Sequence, residues 1–459
     1  MTRLDRSNEE EGMSRHHLRE PRLRRRLLPG AVVAAAACAG AVLAGTTLAA
    51  GSATAIKIGI LSTCQGPFAP FYPETTAGAK TALIQLAGGK AAGTRATSTV
   101  TGAQVGGHPI RLVFGCSNAQ PDVALKEARR LVEQAKVDIL LGPLSGDEGI
   151  AISNYSKKQP RTTFVNGTSA AQDTTLHVRS PNFFRFTTDG AQWMAGLGTY
   201  AYKTLKWRSA VVIGDDYSFP YTQAAGFVAE FCSLGGNVVK RIWPPLGTKD
   251  YSGFITQIPR SGVDGFMMAV GGTGTVAFVK DFEGLAGNVA KKMVGGSVTI
   301  DPTAISALGD RLTGVVAGEP IPPDSKSAAW LKYANAIKRY YPKVSPNSLF
   351  TAGYYDEMWG VVLGLKKVNG DLSDGGKKFR AALAKVSWNS EHGPVKLDKN
   401  RNAIADNFVV QVTKGGGFKT LKDVHGVDQT FGGHFSASTP TVGRNSPACK
   451  HGNAPPWAK

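Results

Sequence analysis

Beyond residue 56 the sequence has no uninterrupted apolar stretch of about 18 residues, the length a helix needs to cross a bilayer. The body of the chain is therefore expected to be soluble or tethered, not embedded. A concentrated basic stripe is also missing. Lys+Arg outnumber Asp+Glu by 53 to 34, but the excess outside the N-terminus is spread along the chain without a run. Nucleic-acid binding would want such a stripe interleaved with aromatics, so no nucleic-acid partner is expected. Enzyme signatures are scarce too. There is no Gly-x-Ser-x-Gly elbow, no His-Glu-x-x-His and no Walker sequence, and the eight His are isolated or near the N-terminus. No catalytic residue and no cofactor is expected. Charged residues are only 19% against 42% hydrophobic, a globular composition, and 459 residues suggest two to three domains.

The N-terminus reads as an export leader. Residues 22–28 are RLRRRLL, and residues 30–50 are almost wholly Gly, Ala, Val, Leu and Thr, followed by GSATA at 51–55. A basic start, an apolar stretch and the small pair Ala53 and Ala55 fit a signal peptide over 1–55, cleaved before Ile56. Arg24-Arg25-Arg26-Leu27-Leu28 also fits a twin-arginine route, so both export routes stay open, and Met13 is an alternative start. Two other readings compete. One is an uncleaved anchor; the other is a lipid-modified Cys38, whose −3 residue is Ala35 instead of Leu.

From Ile56 short apolar runs alternate with amphipathic stretches. IKIGIL (56–61), IRLVFG (110–115), VDILLG (137–142) and TTFVNG (162–167) read as strands, with helices at 75–87 and 121–134 between them. After RFTTDG (185–190) the pattern restarts: helix 191–205, strand 209–216, helix 221–234, strand 238–244, helix 251–261, strand 264–270, helix 275–286 and strand 291–296. Helices at 327–341 and 353–368 and a hairpin over 393–416 follow. The fold class is α/β, two doubly wound parallel-sheet lobes. Residues 88–107 are a Gly/Ala/Thr/Ser insertion at the end of the sheet away from any ligand, and residues 436–459 are a tail expected to be flexible unless Cys449 tethers it.

Two motif-like stretches are better explained without chemistry. Gly272-Thr273-Gly274-Thr275-Val276-Ala277 fits the dinucleotide pattern, yet the next strand, KKMVGGS, ends without the acid a ribose needs. Asp398, Asn400 and Asn402 imitate a calcium loop, but Ala403 takes the glycine position and Val409 that of the bidentate carboxylate. Asp147 and Glu148 read as dipole complements of a helix more readily than as an acid/base pair. The strand-end loops Pro143-Leu144-Ser145-Gly146, Asn166-Gly167-Thr168-Ser169, Asp215-Asp216-Tyr217-Ser218 and Gly271-Gly272-Thr273-Gly274 are more informative. Hydroxyls and free N–H groups at helix starts suit a small anion, although each Ser or Thr also serves as a helix cap.

Several of these stretches, in this order, carry a resemblance. Ile56-Lys57-Ile58-Gly59-Ile60-Leu61, Gly66-Pro67, Gly78-Ala79, ILLGP followed by Ser145, RFTTDG and VVIGDDYSFP together resemble the Leu/Ile/Val-type solute-binding proteins of ABC importers, the type I periplasmic binding proteins. The resemblance runs from about 56 to 415. It implies two lobes, 56–186 with 319–386 and 189–316 with 390–435, joined by three crossings near 185–190, 317–322 and 387–394. A small solute would close between them for delivery to a membrane-embedded ABC permease by a monomeric exported protein. Carried over by position, the ligand-binding serine falls at Gly146 with Ser145 just before it. The next loop supplies Thr168 and Ser169, the second lobe supplies Tyr217, and Gly272 and Ser297 stand in the remaining loops. Where amino-acid binders of the family carry an acid for the ammonium, this chain has Gly296-Ser297-Val298. Phe68, Phe71, Tyr72, Tyr217 and Phe219 suit an apolar or aromatic solute instead. The rival readings are a secreted α/β enzyme and a ligand-sensing receptor module on the same scaffold.

Without the leader four cysteines remain, and three full pairings exist. Cys64 follows the first strand and Cys116 ends the second. Adjacent parallel strands about 5 Å apart bring these ends together, so a Cys64–Cys116 bond is expected, with Cys232 and Cys449 left over.

Overall fold

The computed structural model describes residues 54–459. The leader, with Cys38 and Met13, lies outside the described residues. Two sheets organise the rest. In the first, strands Gln104–Val105, His108–Ser117, Ile56–Thr63, Ile139–Leu141, Thr163–Val165 and Phe183–Phe184 lie side by side, parallel except for the first pair. In the second, Asn237–Ile242, Ser209–Gly214, Gly265–Ala269, Met293–Gly295 and Val316–Glu319 are parallel. Ala403–Thr413 then runs antiparallel to Val316–Glu319 and carries strands Gly393–Leu397 and Gly417–Val427.

Strand alternation builds a core on each face of each sheet. Ile58, Ile60, Ile139 and Leu141 point to one side, where helices Tyr72–Leu86, Ala328–Tyr340 and Leu349–Lys367 cover them. Leu61 and Leu140 point to the other, with Leu131 and Phe164. In the second sheet Ala210 and Val212 face one cluster, Val211 and Ile213 the other. Helices Tyr72–Leu86 and Leu349–Lys367 touch backbone to backbone at Gly78, where a Cβ would run into the carbonyl of Thr351. The chain passes between the sheets three times: after Phe184, after Glu319, and at Ser387–Ser390, where the last strands begin.

Several elements differ from the sequence reading. The helix expected at 191–205 is broken into short turns, Gln192–Met194, Leu197–Thr199 and Tyr200–Thr204, around Gly196 at φ +91°. The helix expected over 251–261 shrinks to Ser252–Ile255. The insertion at 88–107 is held to the first lobe: the Lys80 ammonium, fully buried, donates to the carbonyls of Arg95 (2.8 Å) and Ala96 (2.9 Å). The turn at 398–402 is an Asx turn, with Asp398 Oδ1 accepting the N–H groups of Asn400 and Asn402.

Residues 436–459 take the tethered alternative and are ordered rather than a flexible tail. Cys449 is bonded to Cys232 of helix Ser218–Ser233, with Cα atoms 5.3 Å apart. Arg444 pairs with Asp216, Trp243 Nε1 donates to the Arg444 carbonyl (3.0 Å), and Lys422 and Lys203 donate to the carbonyls of Trp457 and Ala458. The Trp457 ring stands edge-on to Phe431 at 5.0 Å. A disulfide, an ion pair and an aromatic anchor together offset the entropy of ordering so polar a segment. Cys64 and Cys116 are also bonded, Cα atoms 5.3 Å apart, at neighbouring strand ends in the first sheet. No helix among the described residues is long and apolar enough to cross a membrane.

Candidate functional site

The strand-end loops of the two lobes meet along a seam. Ser145 stands at the N-cap position of helix Gly146–Ser156, its N–H directed at Glu148 (3.4 Å). At Gly146 the lobes touch: a Cβ there would run into Ser218 Oγ and come within 2.8 Å of the Phe219 nitrogen. Next to it the Ser218 N–H donates to Asp147 Oδ1 (3.0 Å), so Asp147 closes the seam instead of serving acid/base chemistry. Gly272, at φ +58°, backs onto Pro67 and Phe68 of the other lobe. That contact explains its glycine: a side chain would hold the lobes apart. Tyr217 lies between Phe68 (centroids 6.0 Å) and Phe219 (6.1 Å), while Trp193 meets Phe219 edge-on at 5.6 Å and Phe71 stacks on Phe350 at 4.0 Å.

Thr168 is buried beside Gly353 and shares with Trp193 a cavity of about 10 Å³. Ser169 differs: its hydroxyl faces Gly149 and Thr174 inside the first lobe, and its carbonyl accepts from Arg185 (2.6 Å) and Asn166 (3.2 Å). Ser297 accepts a bond from Gln223 Nε2 (2.6 Å) within the second lobe. Gly190 packs against both Ala170 and Gln223, which brings the Thr168 loop and Gln223 to the same seam. Thus Ser145, Gly146, Thr168, Tyr217 and Gly272 come together, Ser297 joins through Gln223, and Ser169 turns away.

The seam is rich in polar atoms that the protein does not satisfy. Whereas Ser145 Oγ faces the Glu148 N–H in a capping box, Thr168 Oγ1, Ser218 Oγ, Trp193 Nε1 and Gln223 Oε1 are buried and have no hydrogen-bond partner among the described residues. Each such atom costs about 1–3 kcal/mol unless something bonds it. A polar solute between the lobes would satisfy them. The remaining cavity is far below the roughly 300 Å³ of a small-molecule pocket, so the lobes must part to admit one. A larger hollow of 390 Å³, lined by residues including Ile255, Phe266 and Leu285, opens at the far end of strand Gly265–Ala269. It is therefore removed from the seam.

Acids also cross the seam. Ser348 Oγ of the first lobe lies 2.7 Å from Glu74 Oε2 and 2.8 Å from Asp301 Oδ2 of the second. Burial first, and then the Asp301 charge, push the Glu74 carboxyl well up; burial also raises Asp301. Burial pushes Glu148 and Asp215 up to about 7, the latter against bonds from the Gly271 N–H and the Tyr251 hydroxyl. Sequence reasoning missed Asp301, Ser348, Trp193 and Gln223; Ser218 it reached only as part of a strand-end loop. Asp301-Pro302-Thr303 reads as an ordinary helix cap, and it does cap helix Pro302–Leu308 through Oδ1. Its second oxygen, which crosses to the other lobe, leaves no mark in sequence. Arg185, in the first crossing, was missed as well: fully buried, it ties the carbonyls of Ser169 and Ala171 and so shapes the Thr168 loop.

Two α/β lobes that meet over unpartnered hydroxyls and aromatic rings have the architecture of a small-molecule binding protein. The chain belongs to the periplasmic binding protein family, whose model matches residues 55–417. It is similar to the Leu/Ile/Val-binding protein homolog 6 of Brucella melitensis, 25% identical over 377 residues that cover 80% of this chain and 90% of that protein. Its fold matches a solute-binding protein of an ABC transporter from R. palustris in complex with benzoate: TM-score 0.72, 22% identity, 85% of this chain and 99% of that one. A leucine-binding protein from Thermotoga maritima superposes with a TM-score of 0.68 at 20% identity, covering 81% and 99%. All three are binding proteins, the R. palustris one a solute-binding protein of an ABC transporter, and the chain is a binding protein rather than an enzyme.

Proposed function

We propose that the protein captures, outside the cytoplasm, a small solute with an aromatic or apolar body and a carboxylate, and delivers it as a monomer to an ABC permease. The unpartnered hydroxyl, indole and amide groups along an aromatic-lined seam carry this reading. Ser145, Thr168, Ser218 and Trp193 supply neutral donors, and Phe68, Tyr217 and Phe219 supply apolar walls. Neighbours of the same fold in complex with benzoate and 4-hydroxybenzoate are consistent with such a solute. One observation favours a second reading: Glu74 and Asp301 face each other across Ser348, where an ammonium would be held, which suits an α-amino acid. Calorimetry with benzoate, 4-hydroxybenzoate and leucine, alongside mass spectrometry of small molecules released on denaturation, separates the two. Binding of the benzoates but not leucine supports the first, the reverse supports the second, and turnover of a bound solute contradicts both.

A further inference from the structure

At the hinge, three side chains able to hold a metal ion face one another. Asp356 lies on helix Leu349–Lys367 and is 1% exposed; Glu391 (2%) and His392 (9%) lie in the third crossing. One donor atom from each falls within 4.8 Å of the other two. His392 Nδ1 is 3.1 Å from Asp356 Oδ2 and 3.6 Å from Glu391 Oε1. Two donors on a zinc ion, with bonds of 2.0–2.1 Å at tetrahedral angles, sit about 3.3 Å apart, between those two values.

The same three atoms make close ion-pair contacts but no well-aligned hydrogen bond: His392 Nδ1, Asp356 Oδ2 and Glu391 Oε1 are buried and near one another without good donor–acceptor geometry. The outer oxygens are held differently. Ser390 Oγ lies between Asp356 Oδ1 and Glu391 Oε2, the latter at 2.5 Å, the kind of outer contact that orients metal ligands. One hydroxyl proton serves only one of these oxygens, so two carboxylates crowd their charge at this point. The cavity of about 10 Å³ is lined by Asp356 and His392 as well as by Thr168 and Trp193. It is about the size of one water-sized sphere and borders both the solute seam and the cluster.

We propose that Asp356, Glu391 and His392 form a site for a divalent cation of the zinc type. Two carboxylates and a neutral imidazole balance its charge. The ion ties the first lobe to the third crossing, beside Thr187 and Thr188 of the first crossing and Pro320 and Ile321 of the second, which line the same cavity. In the competing arrangement His392 is itself the cation, an imidazolium between two carboxylates, and no metal is held.

The test is a zinc titration of the purified, chelator-stripped protein, read by calorimetry and by elemental analysis after dialysis. One equivalent retained per chain is expected, with its affinity at least about 100-fold weaker in His392→Gln and Asp356→Asn and about 10- to 100-fold weaker in Ser390→Ala. His425→Gln, which alters the exposed His425–Asp406 pair, should change nothing. Wild-type protein that retains no stoichiometric zinc overturns the proposal whether or not the variants fold, and so does unchanged retention in folded His392→Gln and Asp356→Asn.

Discussion

The two lobes present their seam loops by different means. In the first lobe the anchor is local: the Cys64–Cys116 bond joins adjacent strand ends 52 residues apart, and the N–H groups of Cys64 and Gln65 already donate to the Ser117 carbonyl. In the second lobe the anchor is remote. Cys232, on the helix that carries Ser218 and Gln223, is bonded to Cys449, 217 residues away in the C-terminal segment. The first bond reinforces a register the sheet sets anyway, whereas the second recruits a segment that has no strand or long helix of its own. A lobe can thus be completed by chain far outside its alternating strands and helices.

The largest expected effects come from cutting these anchors. In the chain-entropy model a loop of 217 residues is worth about 5 kcal/mol and one of 52 about 4 kcal/mol. The sharper contrast is in kind. Cys232→Ser with Cys449→Ser should free residues 436–459 for rapid proteolysis while the sheets persist, whereas Cys64→Ser with Cys116→Ser should lower denaturant stability without exposing a cleavable segment. Equal protease patterns in the two double variants would break the comparison.

Next in size is a pH effect from buried acids, one at the seam of each lobe. Glu148 and Asp215 are held near 7 when folded, above their unfolded values, so the folded state binds the extra proton. The stabilising contribution of these two groups should be fully present below about pH 4 and be lost as pH rises to about 7, roughly 3 kcal/mol for Glu148 and about 4 kcal/mol for Asp215. Asp215→Asn should flatten part of this slope in urea titrations at several pH values; an unchanged slope would remove the assignment.

A side chain at the Gly146 contact should act on closure alone. Gly146→Val places atoms where Ser218 and Phe219 sit, so solute affinity should drop by more than about 10-fold, equivalent to about 1.4 kcal/mol. Melting of the solute-free protein should stay near wild type, and a Gly146→Val protein that binds normally would show that the lobes do not meet there in the bound state. The smallest effect distinguishes two neighbours. Thr168→Ala should weaken binding by about 0.5–1.5 kcal/mol, and Ser169→Ala, whose hydroxyl faces Gly149, by less. Calorimetry showing the reverse order would redraw the seam.

Much of this architecture was legible in the sequence. Runs such as IKIGIL and VDILLG announce strands buried on both faces, and the loops with Ser145, Thr168 and Tyr217 follow from where such strands end. Strand Gly417–Val427 was not foreseen, because its exposed and half-buried positions give no clean apolar alternation. The short turns at 192–204 were read as one helix because an apolar 3.6-residue pattern does not reveal a left-handed glycine at Gly196. The seam was legible by loop but not by atom: only three dimensions show that Ser169 points inward, that Asp301 reaches across to Ser348, or that Asp356 meets His392.

The central claim is that two lobes close over a solute along the seam of unpartnered polar groups. Small-angle scattering of the wild type and of Gly146→Val, each with and without the tightest-binding solute of the benzoate, hydroxybenzoate and leucine panel, tests it most directly. Compaction of the wild type on binding and none in Gly146→Val is the predicted result. A wild type that binds the solute with no change in radius of gyration, or a Gly146→Val protein that compacts as fully, would contradict it.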